Sequence, residues 1–360
     1  MLTAADHEFM EQALELAGRG LYTTTPNPRV GCVIVKDGVL VGSGWHEKAG
    51  LPHAEVLALK EAGDRARGAA LYVNLEPCSH HGRTPPCVDA IVASGIKRVV
   101  AAMQDPNPKV AGSGFAKLRT AGITVEHGLK EDEARELNIG FVSRMARGRP
   151  WMRMKIAASL DGRTALANGK SQWITGEAAR LDGHRWRARA CAVLTGFGTV
   201  RDDDPQLNVR GVDTPRQPLK IVVDSKFETS PSARLLKQGK TLVVGAVNDA
   251  KRIASLREAG AEVVIIPNEH GKVELFKLME ELARRELNEI HVEAGTKLNG
   301  SLLQAGVVDE LLVYLAPSVI GDSGRGMFHL PEITELSQAS ALKIREVERI
   351  GADLRILARI

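Results

Sequence analysis

Aromatic residues make up only 4% of this 360-residue chain. A stacking platform for single-stranded nucleic acid needs more of them. Charge of one sign is scarce too, since 48 Lys+Arg face 44 Asp+Glu for a formal net charge of +4. No dense phosphate-binding surface is advertised, and nucleic acid is not expected as a partner. No apolar run reaches about 18 residues, so a membrane span is not expected. The first stretch, MLTAADHEFMEQALELAGRG, lacks a basic leader and a cleavage pattern, and a cytoplasmic protein follows as the expectation. Cysteine is also sparse. Cys32, Cys78, Cys87 and Cys191 are too few and too scattered for a disulfide scaffold, which leaves metal binding or catalysis as the better use.

What is present is an ordinary globular balance, 44% hydrophobic, over a length that suits about two domains. Phe9, Ala13, Leu16 and Ala17 share one face of a helix that YTTTPNP then ends. VGCVIV, the Asp37-Gly38 turn and VLVGSGW predict a hairpin. A helix from His53 to Ala62, a strand at 70–75, a helix near Pro86 to Ser94 and a strand at 97–103 follow. The basic, Gly- and Pro-containing RMARGRP at 144–150 breaks the pattern, so residues 1–145 are expected as one domain, 146–150 as a linker and 151–360 as another. Beyond it, apolar runs recur at 151–157, 190–195, 219–223, 241–246, 262–266, 289–293 and 310–316, mostly separated by helical patterns. That is the rhythm of a second α/β domain, and the tail LKIREVERIGADLRILARI predicts closing antiparallel strands.

The triplet HAE at 53–55 opens a helix, and EPCSHHGRTPPC at 76–87 joins a strand to the next helix. A catalytic zinc needs three protein ligands and an open position, and His53, Cys78 and Cys87 supply an accepted set. Zinc lowers the pKa of its water, and Glu55 can shuttle protons between that water and a leaving amine. The chemistry so assembled is hydrolytic deamination. His80 and His81 are rival ligands, and a structural zinc site is the remaining alternative, although it normally takes four protein ligands. HxE followed by PCxxC is the signature of zinc deaminases acting on bases and nucleotides. This sequence resembles it with one departure, because eight residues separate its cysteines; a loop containing Gly82 and two prolines can still bring both sulfurs to one metal. Cys32 and Cys191 read as packed thiols.

TPNPRVGCVIV, GWHEKAGLPHAEVLAL and EPCSHHGRTPPC, then MKIAASLDGRTA, SQWITG, GFGTVRDDDPQLNVR and HVEAG, stand in one order from Tyr22 to Gly295. In this the chain resembles the RibD family of bifunctional riboflavin-biosynthesis proteins. The resemblance implies a cytidine-deaminase-like three-layer α/β/α domain followed by a dihydrofolate-reductase-like α/β domain. It also implies two steps on a phosphorylated pyrimidine. The first is hydrolytic loss of the 2-amino group of a diaminopyrimidine ribotide, and the second is NADPH-dependent reduction of the ribosyl chain to ribityl. Glu55 is then the proton shuttle, His53, Cys78 and Cys87 hold Zn²⁺, and Asn27 contacts the pyrimidine. Members are expected to assemble as homo-oligomers through the reductase half.

No GxGxxG opens a βαβ unit in the C-terminal half, so a Rossmann site has no fingerprint there. By resemblance Ala157, Trp173, Thr199, Asp203, Ser225 and the stretch from Gly295 contact NADPH, while Ser171, Arg187, Leu207, Arg210 and Glu293 contact substrate. The two arginines suit a ribose phosphate, and the carboxylates suit sugar hydroxyls. Trp173 also reads as a core residue, and Asp204 competes with Asp203. Lys155 is the candidate electrostatic or proton-donating partner, with a structural ion pair to Asp161 or another acid as its alternative role. A deaminase joined to a half that only binds nucleotide or mediates assembly is the second functional reading.

Overall fold

The computed structural model describes residues 2–81 and 85–360; Gly82, invoked above for the loop between the cysteines, lies outside them. The chain divides into two compact units, Met1–Gly148 and Arg149–Ile360.

In the first unit α1 (Ala4–Gly18) starts at a capping box, with Thr3 Oγ1 accepting from the Asp6 amide at 3.3 Å and the Thr3 amide donating to Asp6 at 2.7 Å. β1 (Gly31–Lys36) and β2 (Val39–Trp45) form the expected hairpin, and Asp37 and Gly38 both take positive φ at its turn. Then come α2 (Ala54–Ala62), β3 (Ala70–Leu75), α3 (Cys87–Ser94), β4 (Arg98–Met103), α4 (Ser113–Thr120), β5 (Thr124–His127), α5 (Glu131–Leu137) and α6 (Ile139–Arg147). The sheet order is β2-β1-β3-β4-β5, antiparallel on either side of β1 and parallel from β3 onward. α2, α3 and α4 adjoin one another, while α1 and α5 form a separate contacting pair against β3, which gives the three layers expected. α2 lies unusually close to β2. A Cβ on Gly44 would stand 2.5 Å from the Ala54 carbonyl oxygen, and one on Gly42 would stand 2.3 Å from that of Ala58. The glycines thus fix where α2 begins.

RMARGRP interrupts the helical pattern only in part, because α6 runs on to Arg147 and Gly148, at φ +68, ends it. Arg149 forks onto the Asp309 carboxylate at 2.6 and 3.0 Å.

The second unit contains β6 (Trp151–Ser159), α7 (Glu177–Arg189), β7 (Ala192–Gly196), α8 (Phe197–Asp203), β8 (Leu219–Val223), β9 (Thr241–Gly245), α9 (Ala250–Glu258), β10 (Glu262–Ile265), α10 (Leu275–Arg284), β11 (Glu289–Val292), α11 (Thr296–Gln304), β12 (Glu310–Ala316), β13 (Lys343–Ile350) and β14 (Asp353–Arg359). Its sheet runs β10-β9-β8-β7-β11-β6-β12-β14-β13. Every pairing from β10 to β12 is parallel, and the β13–β14 hairpin closes the edge antiparallel, as the tail predicts. β11 is inserted between β6 and β7, so the strand order reverses around it. Ligands of open α/β sheets bind beyond the carboxyl ends of strands at such a reversal.

Candidate active sites

His53 is the N-cap of α2, and Cys87 is the first residue of α3. Two helix starts therefore face one point, and their free N–H groups and positive dipole ends favour thiolate. Cys78 lies in the loop after β3 and accepts from the Cys87 amide at 3.3 Å. His53 Nδ1 is 3.2 Å from Cys87 Sγ and 3.6 Å from Cys78 Sγ, and the three donor atoms all lie within 4.8 Å of one another. A tetrahedral zinc with ordinary bond lengths separates such atoms by about 3.5–3.8 Å. The donor set fits that ion in both chemistry and spacing. The hydrogen bond with Cys87 holds Cys78 well below the usual thiol range, and the same bond with burial pushes Cys87 up.

Glu55, one residue inside α2, is buried, and its Oε2 has no hydrogen-bond partner. Burial raises its pKa, and the neighbouring Cys78 adds to the effect. A carboxylate kept dry beside a metal trio, with an oxygen unspent, is equipped to carry a proton.

Asn27 joins this site through a histidine that sequence reasoning did not single out. His46, buried just past β2, meets Asn27 Nδ2 at 3.0 Å with Nε2 and the Pro52 carbonyl at 3.2 Å with Nδ1. Nδ1 then carries the proton, Nε2 accepts, and the amide oxygen of Asn27 stays available. The only signal was the His in GWHEKAG, two residues beyond a strand glycine. Glu76 was missed as well. Its carboxylate gathers the amides of Asp105, Gly112, Gly114 and Phe115 at 2.8–3.2 Å, pinning the start of α4 beside the cysteine loop.

The second cluster is built on strand ends. Arg187 of α7 forks onto Glu293, just past β11, with Nη2 to Oε2 at 2.8 Å and Nε on Oε1, and gives Nη1 to the Asn208 carbonyl at 2.9 Å. Burial opposes the Glu293 charge, but Arg187 and Lys155 hold its pKa well below the ordinary range. Burial and Arg187 lower that of Lys155, against the pull of Glu293. Asp161 does not pair with Lys155; it accepts from Ser159 Oγ at 2.5 Å and the Gly321 amide at 2.7 Å. His184, three residues before Arg187 on α7, accepts from the Arg210 amide at 3.2 Å, and burial, Arg187 and Arg210 lower it to about 4. The i,i+3 spacing in HRWR was the sign that both side chains share a helix face.

Thr199 on α8 and Gly295 before α11 are neighbours: a Cβ on Gly295 would lie 3.8 Å from Thr199 Oγ1. Asp203 ends α8 and is exposed, while Asp204, at φ +39, accepts from the Arg234 amide at 2.8 Å. Ser225 follows β8 in a turn organised by the buried Asp224, and its carbonyl accepts from Ala246 at 2.9 Å. Ala157 lies on β6 near its end, in register with Tyr314. Trp173 is not core: it is 70% exposed, with the Arg180 guanidinium 4.8 Å from its ring centre. Ser171 is half-buried in the same loop. Leu207 is buried at φ +52, so its side chain is spent on the interior. Arg210 is exposed, with Nη1 3.4 Å from Gln206 Oε1 and a closer contact to Asn208 Oδ1.

A His-Cys-Cys donor trio with a buried glutamate in one unit and a charged cluster on a mostly parallel sheet in the other define a two-activity enzyme. Comparison with known proteins agrees. The family described as cytidine and deoxycytidylate deaminase zinc-binding region matches residues 3–103, and the RibD C-terminal domain matches residues 150–356. The riboflavin biosynthesis protein RibD of Escherichia coli is 48% identical over 362 residues, covering 97% of this chain and 98% of the other. That of Aquifex aeolicus is 43% identical, covering 99% of each. A solved structure of Acinetobacter baumannii RibD superposes with a TM-score of 0.92 at 44% identity, over 99% of this chain and 98% of that one. A deaminase/reductase from Thermotoga maritima gives 0.87 at 33% identity, over 98% of each. The chain belongs to the RibD family, and it is a bifunctional deaminase and reductase of riboflavin biosynthesis with a zinc-binding deaminase domain.

Proposed function

We propose that residues 1–145 deaminate 2,5-diamino-6-ribosylamino-4(3H)-pyrimidinone 5′-phosphate. Residues 151–360, joined by 146–150, then reduce the ribosyl chain with NADPH to give 5-amino-6-ribitylaminouracil 5′-phosphate. The observation that carries the reading is the unspent, buried Glu55 oxygen beside the His53, Cys78 and Cys87 trio. Zinc held by that trio supplies an activated water near neutral pH. Asn27, oriented by His46, offers its amide oxygen to a pyrimidine N–H. Glu55 takes one proton from the attacking water and gives it to ring N1, then passes the remaining hydroxyl proton to the departing amine, so that C2 exchanges its exocyclic C–N bond for C=O, N1 becomes N–H and ammonia leaves.

In the second unit Ala157, Trp173, Thr199, Asp203, Ser225 and Gly295 are assigned to NADPH, which supplies a hydride to the ribosyl carbon C1 in its ring-opened imine form. Ser171, Arg187, Leu207, Arg210 and Glu293 are assigned to substrate. Glu293 accepts from sugar hydroxyls, and Arg187, already committed to Glu293, orders it. Arg210 is then the arginine left for the phosphate, and Leu207 contributes main chain. Lys155, with its pKa lowered by burial, holds the proton that the imine nitrogen takes up.

We also place the enzyme in the cytoplasm, where the thiols of the zinc trio stay reduced. No helix among the described residues is long and apolar enough to cross a membrane. Assembly with a second copy through the reductase unit is part of the proposal, supported by the exposed Leu336, Ile344 and Val347 along β13 and the segment before it. Val347→Glu is expected to lower the sedimenting mass; an unchanged mass removes that surface. The central test mixes the protein, zinc and the diaminopyrimidine ribotide and follows NADPH absorbance. Consumption should vanish in Cys78→Ala and return when the deaminated intermediate is supplied. Ammonia release without NADPH consumption on either substrate would leave a deaminase with a non-catalytic partner half.

A further inference from the structure

Glu289, His291 and Glu293 alternate along β11 and its continuation, so they leave the sheet on one face. In register, His291 stands opposite Arg153 on β6 and Val193 on β7. It is fully buried, and neither ring nitrogen has a hydrogen-bond partner. Its Nε2 is 3.4 Å from Glu293 Oε1, close but not aligned as a hydrogen bond. On its other side Arg153 is committed to two carboxylates, with Nε on Glu310 at 2.5 Å and Nη1 on Glu289 at 3.2 Å.

Burial lowers the basicity of His291, with Arg187 and Arg153 opposing a positive charge there. The neutral ring must carry one proton. On Nδ1 that proton would be a buried donor without an acceptor, and the Nε2 lone pair would face a carboxylate. On Nε2 it points at Glu293, and the unpaired atom is an acceptor. Catalytic hydrogen bonds that are long in the free enzyme commonly tighten when substrate arrives.

We infer that His291 is a positioning residue for the reduction step: its Nε2–H backs Glu293 Oε1, so that the Glu293–Arg187 fork presents its remaining lone pairs to the sugar hydroxyls in one orientation. This rests on the assignment of Glu293 to substrate. His291 touches neither substrate nor cofactor and acts only through that carboxylate.

The test uses the full-length protein and three variants, His291→Phe, His291→Gln and Glu293→Gln, each supplied with deaminated intermediate and NADPH. His291→Phe should raise KM for the intermediate about tenfold, the loss of one hydrogen bond to a charged group. KM for NADPH and the rate of ammonia release should stay put. His291→Gln, which keeps an N–H donor, should recover most of the loss. An unchanged KM in His291→Phe while Glu293→Gln raises it overturns the inference alone. If Glu293→Gln also leaves KM unchanged, the assignment of Glu293 falls instead. Ring ¹⁵N shifts of the unmutated protein give a second readout that needs no variant to fold. A neutral imidazole protonated on Nε2 supports the inference, and one protonated on Nδ1 overturns it.

Discussion

The two units place their chemistry differently with respect to their sheets. In the deaminase unit β1, β3 and β4 are almost wholly apolar, and the functional groups stand outside them on helix starts and loops: His53, Glu55, Cys78 and Cys87. In the reductase unit charge is written into the strands themselves, with Arg153 and Lys155 on β6, Glu289 and His291 on β11 and Glu310 on β12. A helix-start site needs only caps and dipoles to hold its ions. A strand site must neutralise each buried charge with another, because isolated ions in a core are too costly. The second arrangement therefore gathers its charges into two groups, one in which Arg153 joins Glu310 and Glu289 and one in which Arg187 joins Glu293, and Arg153 also stacks 4.3 Å from the Trp186 ring.

The comparison breaks most sharply at Glu55. Glu55→Gln keeps the shape and removes the proton carrier, so ammonia release should fall about 10⁴-fold. Zinc content, read by elemental analysis, should stay at one per chain, and NADPH consumption on supplied intermediate should be untouched. A tenfold loss or less would mean that another group moves the proton.

Arg153→Met tests the first of these charge groups. It leaves the Glu289 and Glu310 carboxylates buried, with Arg189 at 2.8 Å from the first, and Arg359 at 3.4 Å and Trp151 Nε1 at 3.5 Å from the second. Breaking a buried pair from one side costs about 3–5 kcal/mol. The urea midpoint of the reductase transition should drop accordingly while the deaminase transition stays. Equal stability would show that these charges reorganise freely.

This difference also decides what could be read from the sequence. The zinc site was legible because its residues come in two short motifs whose spacing is imposed by helix starts: HAE at the N-cap of α2 and a cysteine at the first position of α3. The strand rhythm of both halves was legible for the same local reason, short continuous apolar runs separated by turns and helical patterns. His46 and Glu76 were not, because what they do is set by partners distant in sequence: Asn27 for the first, and the amides of residues 105–115 for the second. The reductase cluster was traced only residue by residue. Arg187 and Glu293 are 106 positions apart, and no pattern announces that one forks onto the other instead of gripping a phosphate. Nor does anything in MKIAASLDG say that Asp161 binds the amides at 320–321 and leaves Lys155 to face Glu293.

Lys155→Met carries the comparison into catalysis. The variant keeps the length of the stem and removes the ammonium. If Lys155 holds the proton for the imine nitrogen, kcat of the reduction should fall about 100-fold with KM for NADPH little changed. The unmutated enzyme should also lose activity as rising pH deprotonates this amine, at a pH below the ordinary lysine range because burial lowers its pKa. In the variant that alkaline limb should disappear. A KM effect alone would make Lys155 a binding charge.

The smallest expected effect separates two adjacent carboxylates at the end of α8. Asp204 takes a left-handed conformation and accepts from the Arg234 amide at 2.8 Å, so it closes the helix and ties down the following segment. Asp203 is exposed and has no such bond. Structural duty therefore falls on one and leaves the other for a ligand. Asp203→Ala should raise KM for NADPH about fivefold, the worth of one hydrogen bond at an exposed position. Its urea midpoint and its ammonia release should match the unmutated enzyme. Asp204→Ala should do the reverse, lowering the midpoint while leaving the ratio of reductase KM values for NADPH and intermediate alone. If the two variants exchange these signatures, the cofactor contact belongs to Asp204, and the end of α8 must rearrange when NADPH binds.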